Sequence, residues 1–273
     1  MELKAARIIG NGPGDLPPTT EGRPHVTFNQ ASTSSLQLGE IRITNRKIGG
    51  MSPESPPFVV TSESFAADWC RALQKELAVA AAELMLPLGC QPSAGLTTVR
   101  VLSGMGVSLE LYRMPLCPSL QRLPKMPART PLSAAFHNWL GERRLAWQWW
   151  EDLQPTCSWP QLYLPADSLE KLSSDSNNPF PVLYQWFTQH AGRPSGADIE
   201  TLRWLASLPP TAWYSDANKA QLQALEHFFF LLRDDRETPN WWLYCNGVST
   251  FIDTIHLRLM QAQQHLASAP AVG

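Results

Sequence analysis

Gly10-Asn11-Gly12-Pro13-Gly14 follows an Ile8-Ile9 pair and carries little side chain, so backbone N–H groups there can approach a ligand closely. Such a turn at the end of a buried strand suits an anion, a nucleotide phosphate above all. The alternating glycines are not the G-x-G-x-x-G dinucleotide fingerprint, and Pro13 removes one donor from any cradle. The same pattern also serves as an ordinary tight turn. Ser93, at an expected helix start, offers a hydroxyl beside free backbone N–H groups and the positive end of a helix dipole. A plain N-cap would use the same hydroxyl. Gly95 costs helix stability in a first turn, which points to a close approach by something else. His137 has an imidazole that can take a proton from a hydroxyl, or it is a structural histidine at a helix start. Glu142, five positions on, is too far round a helix to orient it by spacing alone. His25, His190, His227, His256 and His265 precede a strand or fall in helical stretches and have plainer structural readings.

These residues need a scaffold, and the first half of the chain reads as one. Residues 6–9, 26–29, 41–44, 58–60 and 107–112 have strand length and composition with turn residues between them. Phe65, Trp69, Leu73, Leu77, Ala80 and Leu84 recur at helical steps, and that helix is expected to end before Pro87. A second helix is expected from Ser93 to Gly104 or Gly106, leading into the strand at 107–112. This alternation predicts an α/β fold, Rossmann-like, with a mainly parallel sheet and helices on both faces. Its ligand crevice would lie at the carboxyl ends of the strands. The proline-broken segment 114–131 reads as a lid loop with too few apolar residues to pack by itself.

An aromatic-striped helix through Ala146, Trp149, Trp150 and Leu153 follows, then a short strand at 161–164. The remainder reads as helices at 180–190, 197–207, 216–233 and 248–266. The expected organisation is therefore an α/β domain over 1–165 and a mainly helical elaboration or subdomain over 166–273.

Four pieces in order carry a resemblance: GNGPG after a strand, TFNQA, the helix start QPSAG, and FHNW after the loop. Together they resemble the bacterial sialyltransferases of glycosyltransferase family 42 over residues 5–150. The resemblance implies a Rossmann-like sheet that binds cytidine monophosphate (CMP)-sialic acid or a similar donor, and a glycan acceptor. It implies donor contacts from Gly10, Asn11, Gly12, Pro13 and Gly14, from Asn29 and Asn45, and from Ser93 and Gly95 at the helix that receives the phosphate. His137 matches the family's general base. Two departures stand out: Gly14 replaces the family's Ser, and the paired tyrosines that assist phosphate departure have no counterpart in the lid, since Tyr112 precedes it. Arg113, Lys125 or Arg129 would take that role.

Composition bounds the rest. The chain has 273 residues, 44% hydrophobic and 17% charged, with a net charge of −2, which offers no basic field for a nucleic-acid polymer. Cys70, Cys90, Cys117, Cys157 and Cys245 show no C-x-x-C spacing and read as thiols of a reducing, cytoplasmic setting. Met1-Glu2-Leu3-Lys4 reads as a strand lead-in rather than a signal peptide, and no apolar run spans a bilayer. Asp15, Asp68, Asp152 and Asp167 are scattered and no D-x-D occurs, so a metal-independent transferase with no cofactor is expected. The aromatic runs EHFFFLL and NWWLYCN read as core, or alternatively as a peripheral contact with the inner face of a membrane. GNGPGD alone also resembles the turn of tetrapyrrole methyltransferases that bind S-adenosylmethionine, and a non-catalytic nucleotide-binding relative is the third alternative.

Overall fold

The computed structural model describes residues 3–17, 23–29, 35–45, 57–127, 130–165, 178–189, 196–232 and 240–268. The chain divides into two compact units, Met1–Leu116 with Trp149–Leu162, and Cys117–Gln148 with Tyr163–Gly273. The division therefore differs from a cut at 165, because residues 117–148 belong with the helical unit. The reason is apolar: Leu120, Ala135 and Leu140 are buried in that unit's core.

The first unit is built on β1 (Ala5–Ile9), β2 (His25–Phe28), β3 (Glu40–Asn45), β4 (Phe58–Thr61), β5 (Ser108–Tyr112) and β6 (Cys157–Ser158). They form one sheet in the order β4-β3-β2-β1-β5-β6, with only the β3–β4 pair antiparallel. This is the mostly parallel, Rossmann-like α/β arrangement expected. The register aligns Ile8 with Val26 and Leu111, and Val26 with Ile41, so one sheet face is aliphatic. Ile8, Val26, Ile41 and Ile43 are all fully buried.

The alternate positions carry Arg7, Thr27, Glu40, Arg42 and Glu110, and each has partners. Arg7 donates to Glu110 (3.1 Å), Arg42 to Glu40 (3.0 Å), and the Thr27 hydroxyl to Glu40 (2.7 Å). Burial alone would raise the pKa of Glu40, but the Gln37 amide, Arg42 and Thr27 outweigh it and hold the carboxyl below its usual range. Paired charges of this kind make the second face tolerable to bury.

Two helices lie between β4 and β5 in sequence. α1 (Ala67–Leu88) buries Leu73, Leu77, Ala81 and Leu84, and α2 (Ala94–Gly104) buries Leu96, Val99 and Leu102. α1 does not stop before Pro87. It carries the proline in its last turn, where the missing N–H costs a single bond, and closes on Gly89 (φ 70°), whose N–H reaches the Met85 carbonyl. The strand expected at 161–164 is instead a 3-10 turn, Pro160–Leu162, preceded by β6. Trp159 and Leu162 are buried there, and the Gln161 amide oxygen accepts from the Met114 N–H at 2.9 Å rather than joining a ladder.

In the second unit begins α3 (Trp139–Leu153), which ends in the first; the unit also holds α4 (Pro179–Gln189), α5 (Gly196–Ser207), α6 (Pro210–Tyr214), α7 (Lys219–Leu225) and α8 (Asn246–Ser268). Ile252, Ile255, Leu259 and Met260 of α8 are no more than 1% exposed and form the spine of its core. The single helix expected over 216–233 is divided into α7 and the 3-10 turn Glu226–Phe229. Side chains take the carbonyls that a helix would have used: Asn240 donates to His227 and Phe230, and the Trp242 indole to Phe228. Phe228, Phe229 and Trp242 are buried, so the aromatic runs are core.

The segment read as a lid is anchored where it is described. Met114 and Leu116 are buried in the first unit, and Leu120 in the second. Arg122, 3% exposed, donates to the carbonyls of Pro127 and Thr130 and to Asn246 Oδ1. Asn246 in turn donates to the carbonyls of Pro124 and Met126. One arginine and one asparagine thus satisfy a stretch of backbone that has no secondary structure. Arg129 lies outside the described residues. Among the described residues no helix is long and apolar enough to cross a membrane.

Candidate functional site

In the first unit the site residues expected from the sequence gather at the carboxyl edge of the sheet. β1 separates β2 from β5 and is where the strand order reverses, the usual position of a ligand crevice in such sheets. Beyond β1 the chain keeps bonding to its neighbour: Gly10 N–H donates to the Tyr112 carbonyl (2.8 Å) and Gly12 N–H to the Arg113 carbonyl (3.0 Å). Arg113 Nε returns a bond to the Gly12 carbonyl at 2.7 Å.

The glycines are required by the chain itself. A Cβ on Gly10 would fall on the Arg113 carbonyl and 2.5 Å from Met114 Cγ, and one on Gly12 would stand 2.9 Å from Pro115 Cδ. Gly14 has φ +121° and packs against the Gln161 amide. A Cβ on Gly95 would meet the Met114 methyl at 2.9 Å. On the side where a Cβ would stand, Arg113, Met114 and Pro115 of the chain itself pack against Gly10, Gly12 and Gly95. What the packing does achieve is placement. Met114 lies against both Gly10 and Gly95, so the N-terminus of α2 stands beside the turn after β1. Ser93 caps that helix by accepting from Leu96 N–H at 3.2 Å.

Along the same edge three asparagines tie the strand ends together. Asn11 Nδ2 donates to the Phe28 carbonyl at 3.2 Å, joining the ends of β1 and β2. Asn29 adopts φ 51°, a left-handed conformation that asparagine tolerates, and its Oδ1 accepts from Asn45 N–H at 2.7 Å. The Asn45 Oδ1 is itself buried without a hydrogen-bond partner in the described structure. Pro13 and Asn11 are exposed at the tip of the turn. The edge thus presents amide groups, the Arg113 guanidinium and a helix N-terminus, a polar set with one end favourable to an anion.

In the second unit, His137 stands where the 3-10 turn Ser133–Phe136 gives way to α3, with extended backbone (φ −125°, ψ 141°). Asn138 caps α3 by accepting from Gly141 N–H at 2.8 Å, and its Nδ2 donates to Glu226. The indole of Trp139 lies edge-on to the imidazole at 5.2 Å and donates to the Ala134 carbonyl at 2.7 Å. Glu142, fully buried, brings Oε1 to 3.9 Å from His137 Nδ1. Spacing had placed this glutamate out of reach. That spacing applies within one helix, whereas His137 precedes the cap.

Arg144 pairs with Glu226 through both guanidinium arms, at 2.6 and 3.0 Å. Arg143 is wholly enclosed; burial lowers its pKa to about 10 although the Cys117 thiol opposes this. His256 on α8 is also enclosed, and burial together with the Arg143 charge pushes its pKa down to about 3. Glu142 was set aside on spacing and His256 read as structural, while Arg143 and Glu226 had no signal in the sequence, because charged residues in a helical stretch read as a solvated face. Among the described residues no cluster of His, Cys, Asp and Glu has the makings of a metal site.

Comparison with protein-family models, with curated proteins and with solved structures finds no match to this chain.

Proposed function

We propose that this chain is a glycosyltransferase, sialyltransferase-like, that transfers an acidic sugar from a CMP donor to a glycan acceptor. The observation that carries the reading is the placement of the α2 N-terminus, Ser93 to Gly95, beside the Gly10 turn at the point of strand-order reversal. A phosphate favours that end of a helix, and the Asn11, Asn29 and Asn45 amides along the same edge suit a neutral base and ribose. With Gly10 and Gly12 N–H engaged by carbonyls, the donor phosphate is assigned to α2 rather than to the glycine turn. The proton acceptor is assigned to His137. In the transfer, the acceptor oxygen bonds to the anomeric carbon as that carbon's bond to the phosphate oxygen breaks. The electron pair leaves with the phosphate, and the hydroxyl proton passes to the imidazole. The absence of a D-x-D stretch in the sequence favours transfer without a divalent ion.

Thermal unfolding with CMP, and separately with S-adenosylmethionine, tests the reading, since a ligand of the native state raises stability by mass action. CMP should raise the midpoint and S-adenosylmethionine should not. A rise with S-adenosylmethionine alone would favour a methyltransferase, and none with either would favour a non-catalytic relative.

A further inference from the structure

The arginines on and beside the sheet strands are paired with acids: Arg7 and Arg23 with Glu110, and Arg42 with Glu40. Arg113 departs from that pattern. Among the described residues no carboxylate pairs with its guanidinium, and the side chain's hydrogen bond runs from Nε to the Gly12 carbonyl at 2.7 Å. The same two residues are joined a second time, by Gly12 N–H to the Arg113 carbonyl at 3.0 Å. This reciprocal pair of bonds fixes the Nε edge of the guanidinium on the turn after β1, with Cγ 3.9 Å from where a Cβ on Gly14 would stand. Arg113 directly follows β5, so the anchored group stands at the carboxyl edge where the strand order reverses. It reaches that place through a left-handed backbone (φ 54°), which residues other than Gly, Asn and Asp seldom adopt. Conformations of this kind persist where the surroundings impose them, ligand sites among the commonest.

We propose that Arg113 is an oxyanion-binding residue of this edge: with Nε committed to Gly12, its terminal amino groups, Nη1 and Nη2, form a fork that takes a carboxylate or phosphate through two parallel bonds. The residue is half-buried, so its charge is only partly screened by water. Because the guanidinium is anchored before a ligand arrives, less side-chain entropy is lost on binding. The inference deepens the donor assignment made above and rests on it for the identity of the ligand. A CMP-linked acidic sugar carries two negative groups, its phosphate and the sugar carboxylate. The N-terminus of α2 supplies only about half a positive charge, which leaves most of the donor's charge unmatched unless a cation shares the site. Arg113 supplies that cation.

Calorimetric titration of the full chain with CMP and with CMP-sialic acid tests this in the parent, Arg113→Gln and Arg113→Lys. R113Q should weaken binding of CMP-sialic acid by roughly 10- to 100-fold, the worth of a charge-assisted bidentate pair. R113K keeps the charge without the fork and should recover part of the loss. A loss shared by CMP and CMP-sialic acid assigns the fork to the phosphate, and one confined to CMP-sialic acid assigns it to the carboxylate. Equal affinities of the parent and R113Q for both ligands would overturn the proposal. If R113Q does not fold, the unmutated protein decides through butanedione, which modifies guanidinium groups. Modification of Arg113, followed by peptide mass spectrometry, should slow about tenfold with CMP-sialic acid at roughly ten times its Kd, and an unchanged rate would overturn the proposal. If the parent binds neither CMP nor CMP-sialic acid, it is the donor assignment that fails, and inorganic pyrophosphate becomes the probe of the same protection experiment. Protection of Arg113 by pyrophosphate then upholds the oxyanion site, and no protection overturns it.

Discussion

At the scale of single residues, the glycines at the sheet edge serve the packing of the chain, and the proposed chemistry falls to His137. Gly12 abuts the Arg113 carbonyl and the Pro115 ring, both of which are fixed by neighbouring backbone. Gly12→Val is therefore expected to lower stability, by about 1–3 kcal/mol or more, and not merely to block a ligand. Thermal unfolding of the variant measures it, and an unchanged midpoint would mean the turn can open. His137 is different, since its side chain is only half-buried and lies outside the apolar core. His137→Ala should reduce transfer by roughly two to four orders of magnitude, the usual worth of a general base, while its unfolding midpoint stays near the parent's. Steady-state kinetics beside a melting curve separates the two effects. His256 gives the pH dependence. It stays neutral in the folded protein down to about pH 3 but takes a proton near the ordinary histidine value of 6.5 when unfolded. Between those values the unfolded chain binds the extra proton, so this residue's contribution is complete above pH 6.5 and shrinks as pH falls. Urea unfolding of His256→Leu across that range should show a shallower acid loss than the parent, and parallel curves would contradict the burial argument.

At the scale of elements, β1, β2, β3, β5 and α2 were legible because their periodicity is what fixes them: alternating Ile and Val bury one sheet face, and Ser93 marks the start of α2. The stretch at 161–164 misled because Leu and Tyr there suit a strand, but no neighbouring edge pairs with them and Gln161 is drawn to the Met114 backbone. The anchoring of 114–127 was not legible either. It depends on Arg122 meeting Asn246 at the start of α8, a contact 124 residues away along the chain. The His137–Glu142 pair was hidden by the position of the helix cap, which no spacing rule reports. Arg122→Ala removes bonds to Asn246, Pro127 and Thr130 and leaves carbonyls unpaired. Each charge-assisted bond contributes about 1.5–3 kcal/mol, so tryptic cleavage after Lys125 should quicken by about tenfold or more. Equal rates in parent and variant would show that the segment is held by its apolar anchors alone.

At the scale of the whole molecule, the chain has a unit built on a Rossmann-like sheet with a polar edge and a helical unit that encloses Glu142, Arg143 and His256, with His137 half-buried at the start of α3. The proposal assigns donor recognition to the sheet edge and proton acceptance to the start of α3. Release of CMP from CMP-sialic acid, followed with purified full-length protein in the presence of EDTA and a glycan acceptor, tests this most directly. The account predicts CMP release that persists with EDTA and falls by roughly two to four orders of magnitude in His137→Ala, as expected for loss of a general base. Release that stops with EDTA, or that proceeds equally in the parent and the variant, would contradict it, as would no release with any CMP-sugar.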